Sequence, residues 1–156
     1  MGSVSSTTVE TASAGAASAT SAPASVLGAV AYEIGHTSVT TTAEEALVAG
    51  HGVCQDHAQV LIAAARHLGF PARYVSGYLC PMEEGFPAAS HAWAELFVDG
   101  LGWVGFDPAN RVSPDEHYVR VACGRDYHDA APIRGLRRGG LCAAPSSIRF
   151  CTSFNC

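Results

Sequence analysis

Residues 52–68 read GVCQDHAQVLIAAARHL, and this stretch decides the fold. From Cys54 onward, Ala58, Leu61, Ile62, Ala65 and Leu68 recur at the spacing of one helix face. Val60, Ala63 and Ala64 widen the stripe, so a helix over Cys54–Leu68 is expected to be buried on most sides. Asp56 falls in its first turn and Arg66 and His67 in its last, each where the helix dipole favours that charge. Gly69 is placed to end the helix and Pro71 to prevent its return. A cysteine therefore heads a buried helix. Helix N-termini carry exposed N–H groups and a partial positive charge, and both stabilise a thiolate, the nucleophilic form. The same N–H groups, that of Cys54 first, can hold a developing oxyanion. Alone, such a cysteine is more often a small buried hydrophobe, so it needs support from elsewhere in the chain.

That support lies downstream. Ala72–Leu79, His91–Val98 and Gly102–Asp107 read as strands, with a fourth at His117–Cys123. Asp99-Gly100 marks a hairpin between the second and third. His91 opens one strand of that hairpin and Asp107 closes the other, so both come to one end of a sheet. Register sets the face: a loop over 99–101 puts His91 and Asp107 one diagonal apart on the same face, whereas a two-residue loop separates them. Each residue has a plainer alternative, a structural strand histidine or an Asp-Pro turn former. Trp93 and Trp103 are expected in the core. Helix-start Cys, strand-start His and strand-end Asp within one small domain are harder to explain that way, and they form a nucleophile–base–orienter set.

Upstream, residues 1–24 are rich in Ser, Thr, Ala and Gly without a period and are expected to be a flexible tail. Ser25 would cap a helix carrying Val26, Leu27, Val30, Ala31 and Ile34, ended by Gly35. Thr37–Thr42 is a β-prone run. Thr42 and Glu45 fit a capping box for a helix over 43–49, stopped by Gly50. One long helix followed by an antiparallel meander indicates an α+β domain over 25–135, with an irregular tail over 136–156.

Composition narrows the function classes. The chain has 156 residues, 48% hydrophobic and 15% charged, which suits one globular domain. The net charge is −5 and basic residues cluster only at Arg137 and Arg138, so no nucleic-acid partner is expected. All nine basic residues are arginine, so the chain cannot donate its own lysine to any glutamine–lysine joining. No apolar run reaches the ~20 residues of a membrane span, and the first residues lack a signal-peptide pattern, so no membrane partner and a cytoplasmic location are expected. Six cysteines make an even count, but without a secreted context they do not indicate disulfides.

GVCQDHAQVLIAAARHLGFPARYVSGYL, SHAWAELFVDGLGWVGFDPAN and the later VACGRDYHDAAPIRG resemble the core of bacterial transglutaminase-like proteins, over roughly residues 30–135. The resemblance implies a papain-like core with a cysteine-bearing helix against an antiparallel sheet. It implies a catalytic triad of Cys54, His91 and Asp107, and a cysteine peptidase, amidase or amide-transferring activity that needs no cofactor. Arg73 and Tyr74, Arg125 and Asp126 match recurrent family segments and are expected to be structural; Gln55 and Asp56 would shape the helix start. Two departures stand out. Family members usually carry a β-rich segment ahead of this core, and after Gly140 the chain reads LCAAPSSIRFCTSFNC, without clean alternation, as a truncation or frame shift would produce.

The expected chemistry is ping-pong acyl transfer on a peptide or protein amide, with hydrolysis favoured over transfer to an amine because no amine site can be read. Tyr32 is a candidate second oxyanion donor, with packing as its plainer role. An arylamine acetyltransferase-like enzyme shares the triad but fits the flanking segments less well. A metal site on His51, Cys54 and His57 offers three ligands where zinc usually takes four, and no metal is assigned. A non-catalytic binding domain of the same fold is the remaining alternative.

Overall fold

The structure, a computed structural model, describes residues 28–80 and 88–132. Its elements are β1 (Ala31–Tyr32), α1 (Ala43–Ala49), β2 (His51–Gly52), α2 (Cys54–His67), β3 (Ala72–Leu79), β4 (Ala89–Val98), β5 (Gly102–Phe106) and β6 (Tyr118–Gly124). The expected tails over 1–24 and 136–156 lie outside the described residues.

Both helices form for local reasons. Thr42 accepts from the Glu45 amide at 3.2 Å while the Glu45 carboxylate accepts from the Thr42 amide at 2.8 Å, the reciprocal capping box. Gly50 closes α1 with φ 74°, a left-handed conformation that costs glycine nothing. At the head of α2, Val53 has no side chain able to cap. Instead Asp56 reaches back to accept from the Val53 amide at 2.8 Å and from the Thr37 hydroxyl at 2.6 Å. The buried face of α2 includes Ala58, Leu61, Ile62 and Ala65, packed with Tyr74, Ala92, Ala94, Leu96 and Phe106 of the sheet. Past the helix, the Phe70 amide returns to the Ala65 carbonyl at 2.9 Å, and the Arg66 guanidinium donates to the carbonyls of Ala72 and Arg125 at 2.8 Å.

The main sheet is antiparallel in the order β5-β4-β3-β6. The β4–β5 register places Val98 opposite Gly102, so the hairpin loop is 99–101, the length that keeps His91 and Asp107 on one face. The sheet is not a meander throughout. After β5 the chain crosses to the far edge of β3, where β6 pairs with a register shift at Ser76/Gly77. Gly77 is required there, since a Cβ would overlap the Val119 carbonyl oxygen and lie 2.8 Å from the Trp93 ring.

Three further expectations are corrected. The first helix extends no further than Ala29. Ala31 and Tyr32 form β1 instead; the Ala31 amide donates to the Gly50 carbonyl at 2.8 Å and, just beyond the strand, the Glu33 amide donates to the Gly52 carbonyl at 2.9 Å. The Thr37–Thr42 run is not a strand. Its hydroxyls bond the local backbone, as in the Ser38 amide to Thr41 Oγ1 at 2.9 Å, and so compete with a β ladder. Trp103 is 42% exposed on the outer face of the sheet, with the Arg73 guanidinium 4.1 Å from its ring centre, whereas Trp93 is buried as expected.

Candidate active site

Cys54 is the first residue of α2 and is buried. The helix packs on β3 and β4, and the start of β4 carries His91, also buried. Asp107 lies just beyond β5. After Phe106 the chain leaves the ladder, and Asp107 instead bridges Val112 across a tight turn, its amide donating to the Val112 carbonyl at 2.9 Å. That departure brings the Asp107 carboxylate from its diagonal position within hydrogen-bond reach of His91. The imidazole Nε2 of His91 stands 2.6 Å from Asp107 Oδ2, with both groups buried.

The Asp107 carboxylate is surrounded by donors. Oδ2 also accepts from Asn110 Nδ2 and from the Tyr118 hydroxyl, both at 2.7 Å, and Oδ1 accepts from the amides of Ala109 at 3.0 Å and Asn110 at 3.2 Å. Burial pushes its pKa up, but the hydrogen bond and charge of His91, followed by the bonds from Tyr118 and Asn110, outweigh burial and hold the carboxyl below its usual range. The converse holds for Tyr118, whose phenol is pushed above its ordinary value by burial first and then by the adjoining carboxylate. An ionised Asp107 fixes the proton of neutral His91 on Nε2, which leaves the lone pair on Nδ1.

The imidazole is held by aromatic rings. Trp93 lies 6.4 Å away, near parallel, and Tyr118 5.8 Å away and tilted, while Trp93 and Tyr118 meet edge to face at 5.4 Å. An indentation of about 260 Å³ opens beside His91, lined by Tyr32, Leu79, Ala89, Ala109 and Asn110.

Sequence reasoning missed Asn110, Tyr118 and the fixed role of His57. His57 is fully buried, with Nδ1 2.8 Å from the Val53 carbonyl and Nε2 2.9 Å from the Val30 carbonyl, and Tyr32 stacks on its ring. It therefore ties the head of α2 to β1. Both of its nitrogens are engaged by backbone, so the His51–Cys54–His57 metal set does not assemble. The supporting residues are structural, as expected. Arg73 pairs with buried Glu95 at 2.7 Å, Arg120 meets the other carboxylate oxygen, and Tyr74 packs edge-on to Tyr127. Arg125 pairs with Asp129 at 2.6 Å, Asp126 accepts from the Asp129 amide at 3.0 Å, and Gln55 donates to the Ser38 carbonyl at 3.2 Å.

A cysteine-headed helix laid on an antiparallel sheet, with a His–Asp pair at the start of a strand beneath it, is the architecture of papain-like thiol enzymes. The chain belongs more narrowly to the transglutaminase-like superfamily, whose family model matches residues 3–108. Among its relatives is an uncharacterized protein of Mycobacterium leprae, 40% identical over 113 residues, covering 69% of this chain and 40% of the relative. Another, from Mycobacterium tuberculosis strain H37Rv, is 40% identical over 115 residues, covering 67% and 37%. A protein-glutamine gamma-glutamyltransferase of Pseudomonas aeruginosa is 34% identical over 103 residues, 58% of this chain and 15% of that protein. The fold also matches a crystal structure described as a candidate cysteine protease from Cytophaga hutchinsonii. The TM-score is 0.63 at 34% identity, covering 72% of this chain and 37% of that one. The chain thus spans about two fifths of the length of its mycobacterial relatives. Family and structural neighbour point to an enzyme of the transglutaminase or cysteine protease type. Among the described residues, no helix is long and apolar enough to cross a membrane.

Proposed function

We propose that this protein catalyses cysteine-dependent acyl transfer on amide bonds of peptides or proteins, with Cys54 as nucleophile, His91 as acid and base, and Asp107 as the group that orients His91. The observation that carries the proposal is the buried 2.6 Å pair of His91 and Asp107 at the head of β4, beneath a helix that begins at Cys54. In the reaction, Cys54 Sγ gives its proton to His91 Nδ1 and attacks the substrate carbonyl. Backbone N–H groups at the head of α2 hold the oxyanion. The imidazolium then protonates the departing amine and the C–N bond breaks, leaving a thioester on Cys54. Water attacks that thioester as His91 takes its proton, releasing the acid and restoring the thiol.

Hydrolysis is proposed over amine transfer because water is the abundant acceptor at the indentation that opens beside His91. The cytoplasm is the proposed location, the compartment whose reducing poise keeps a nucleophilic thiol in its active form.

The test is alkylation of Cys54 by iodoacetamide as a function of pH, with labelling read at the Cys54 peptide by mass spectrometry. The expected profile has fast labelling well below the ordinary thiol pKa of ~8.5, lost in His91→Ala. An ordinary thiol profile in the native chain would overturn the proposal. A glutamine-containing peptide offered with and without a fluorescent primary amine then separates hydrolysis, seen as ammonia or a new terminus alone, from transfer.

A further inference from the structure

A second cluster of ligating side chains is made of residues that the proposed reaction does not use. Glu33, His36 and His51 present a carboxylate oxygen and two imidazole nitrogens, all within 4.8 Å of one another. Backbone features hold them there. His51 is locked into β2 opposite Ala31, the Glu33 amide donates to Gly52, and Gly35, at φ 90°, turns the chain between Glu33 and His36.

Three observations make this more than a surface ion pair. First, Glu33 Oε2 and His36 Nε2 stand 3.5 Å apart, and donors bound tetrahedrally at ~2.0–2.1 Å from zinc stand about 3.4 Å apart. That edge of a coordination shell is already formed. Second, the Nδ1 atom of His51 is buried without a hydrogen-bond partner, although buried polar groups are nearly always satisfied. His36 tilts against that same ring with centroids 4.7 Å apart. Third, His36 and His51 line an indentation of about 390 Å³ together with Thr37, Thr40 and Glu45, so a hydrated ion has access and water can complete its shell.

We propose that Glu33, His36 and His51 bind one divalent transition-metal ion of the zinc type. The two imidazoles are borderline donors that favour such an ion over magnesium or calcium, which take oxygen ligands, and zinc accepts a carboxylate beside them. The remaining positions are filled by water. His51 precedes Cys54 by three residues, so the bound ion clamps the 33–36 turn onto the strand that leads into α2. The site is independent of the chemistry assigned to Cys54 and stands or falls separately.

The experiment is calorimetric titration of ZnCl2 into the full reduced chain in four forms: native, His36→Ala, His51→Ala and Cys54→Ala. His36 is exposed, so its replacement leaves the fold intact, and circular dichroism and the melting temperature in a chelator confirm this for each form. The native and Cys54→Ala chains are expected to bind one equivalent that His36→Ala and His51→Ala bind roughly 100-fold more weakly or not at all. With Co2+, the native-minus-His36→Ala difference spectrum should show d–d bands without a thiolate charge-transfer band. No zinc uptake by the native chain, equal uptake by His36→Ala and native, or loss of the equivalent in Cys54→Ala would each overturn the proposal.

Discussion

Replacing Asp107 by asparagine tests the orienting role proposed for this carboxylate while keeping its bulk. Every neighbour of the two carboxylate oxygens is a donor: His91, Asn110 and Tyr118 at Oδ2, and the amides of Ala109 and Asn110 at Oδ1. An asparagine must point its own NH2 at one of these sets. Toward the two backbone amides, which cannot turn round, it leaves buried donors unpaired at about 1–3 kcal/mol. Toward His91, it can be accommodated only if Nε2 gives up its proton and accepts. The proton then sits on Nδ1, the nitrogen assigned to receive the thiol proton. In the first arrangement the imidazolium loses one charge-assisted bond, about 2–3 kcal/mol or roughly 30–150-fold in rate. In the second the base is in the wrong tautomer, and the corresponding exchange in serine proteases costs about 10⁴-fold. The expected fall in kcat/KM for Asp107→Asn is therefore between about 30-fold and about 10⁴-fold, with low-pH alkylation of Cys54 slowed in parallel.

Stability gives an independent readout of the same substitution. The folded carboxyl titrates below its unfolded value, so its contribution is complete above ~3.9, the ordinary carboxylate pKa, and disappears as pH falls through the lowered folded value. The native chain should lose stability more steeply than Asp107→Asn below about pH 4. If Asp107→Asn keeps turnover within about threefold and the native alkylation profile, the orienting role is refuted.

Two other substitutions probe the surroundings of the pair. Tyr118→Phe removes one donor to Asp107 but leaves the His91 contact, so it should cost about 1 kcal/mol and less than about tenfold in kcat/KM. Because the Tyr118 phenol titrates above its ordinary value when folded, its contribution is complete below about pH 10 and lost at higher pH; a melting-temperature series should show that alkaline loss in the native chain and not in Tyr118→Phe. Gly77→Ala drives a methyl group into the Val119 carbonyl and the Trp93 ring. It should destabilise by about 1–3 kcal/mol and shift tryptophan fluorescence, and an unchanged melting curve would show that the β3–β6 junction has room.

Legibility in the sequence follows the range of the interactions. The capping box of α1 and the apolar stripe of α2 are local, and both helices were readable to within a residue. The β4–β5 hairpin was readable from Asp99 and Gly100, but its loop length was left open between two and three residues, and the structure has three, 99–101. Long-range effects were not readable. Val30, Ala31 and Ile34 fit a helical period, but the backbone at 31–33 is claimed by β2, a strand of only two residues. The pairing of β6 with β3 leaves no periodic trace, and with it the approach of Tyr118 to Asp107 was invisible. Asn110 carried a weak signal: a short polar residue three positions after an Asp-Pro pair can bond back to that aspartate, and it does.

The same geometry removes a choice that the sequence presented as exclusive. Asp107 could be a turn former or a catalytic orienter, and under the proposed mechanism one oxygen serves each role: Oδ1 holds the turn amides of Ala109 and Asn110, while Oδ2 faces His91. The turn keeps the carboxylate from rotating. A carboxylate that cannot rotate holds the imidazole in one orientation without reorganising as charge develops, which is the condition for electrostatic preorganisation. The head of α2 is fixed in the same manner, since the two ring nitrogens of His57 lie against the carbonyls of Val30 and Val53 and Asp56 accepts from the Val53 amide. Under the proposed mechanism, the nucleophile and the residue that orients its base are therefore carried on backbone held by buried polar contacts that take no part in the reaction. Changes at His57 or Asp56 should then alter the thiol of Cys54 without touching it, by loosening the helix end whose N–H groups stabilise the thiolate.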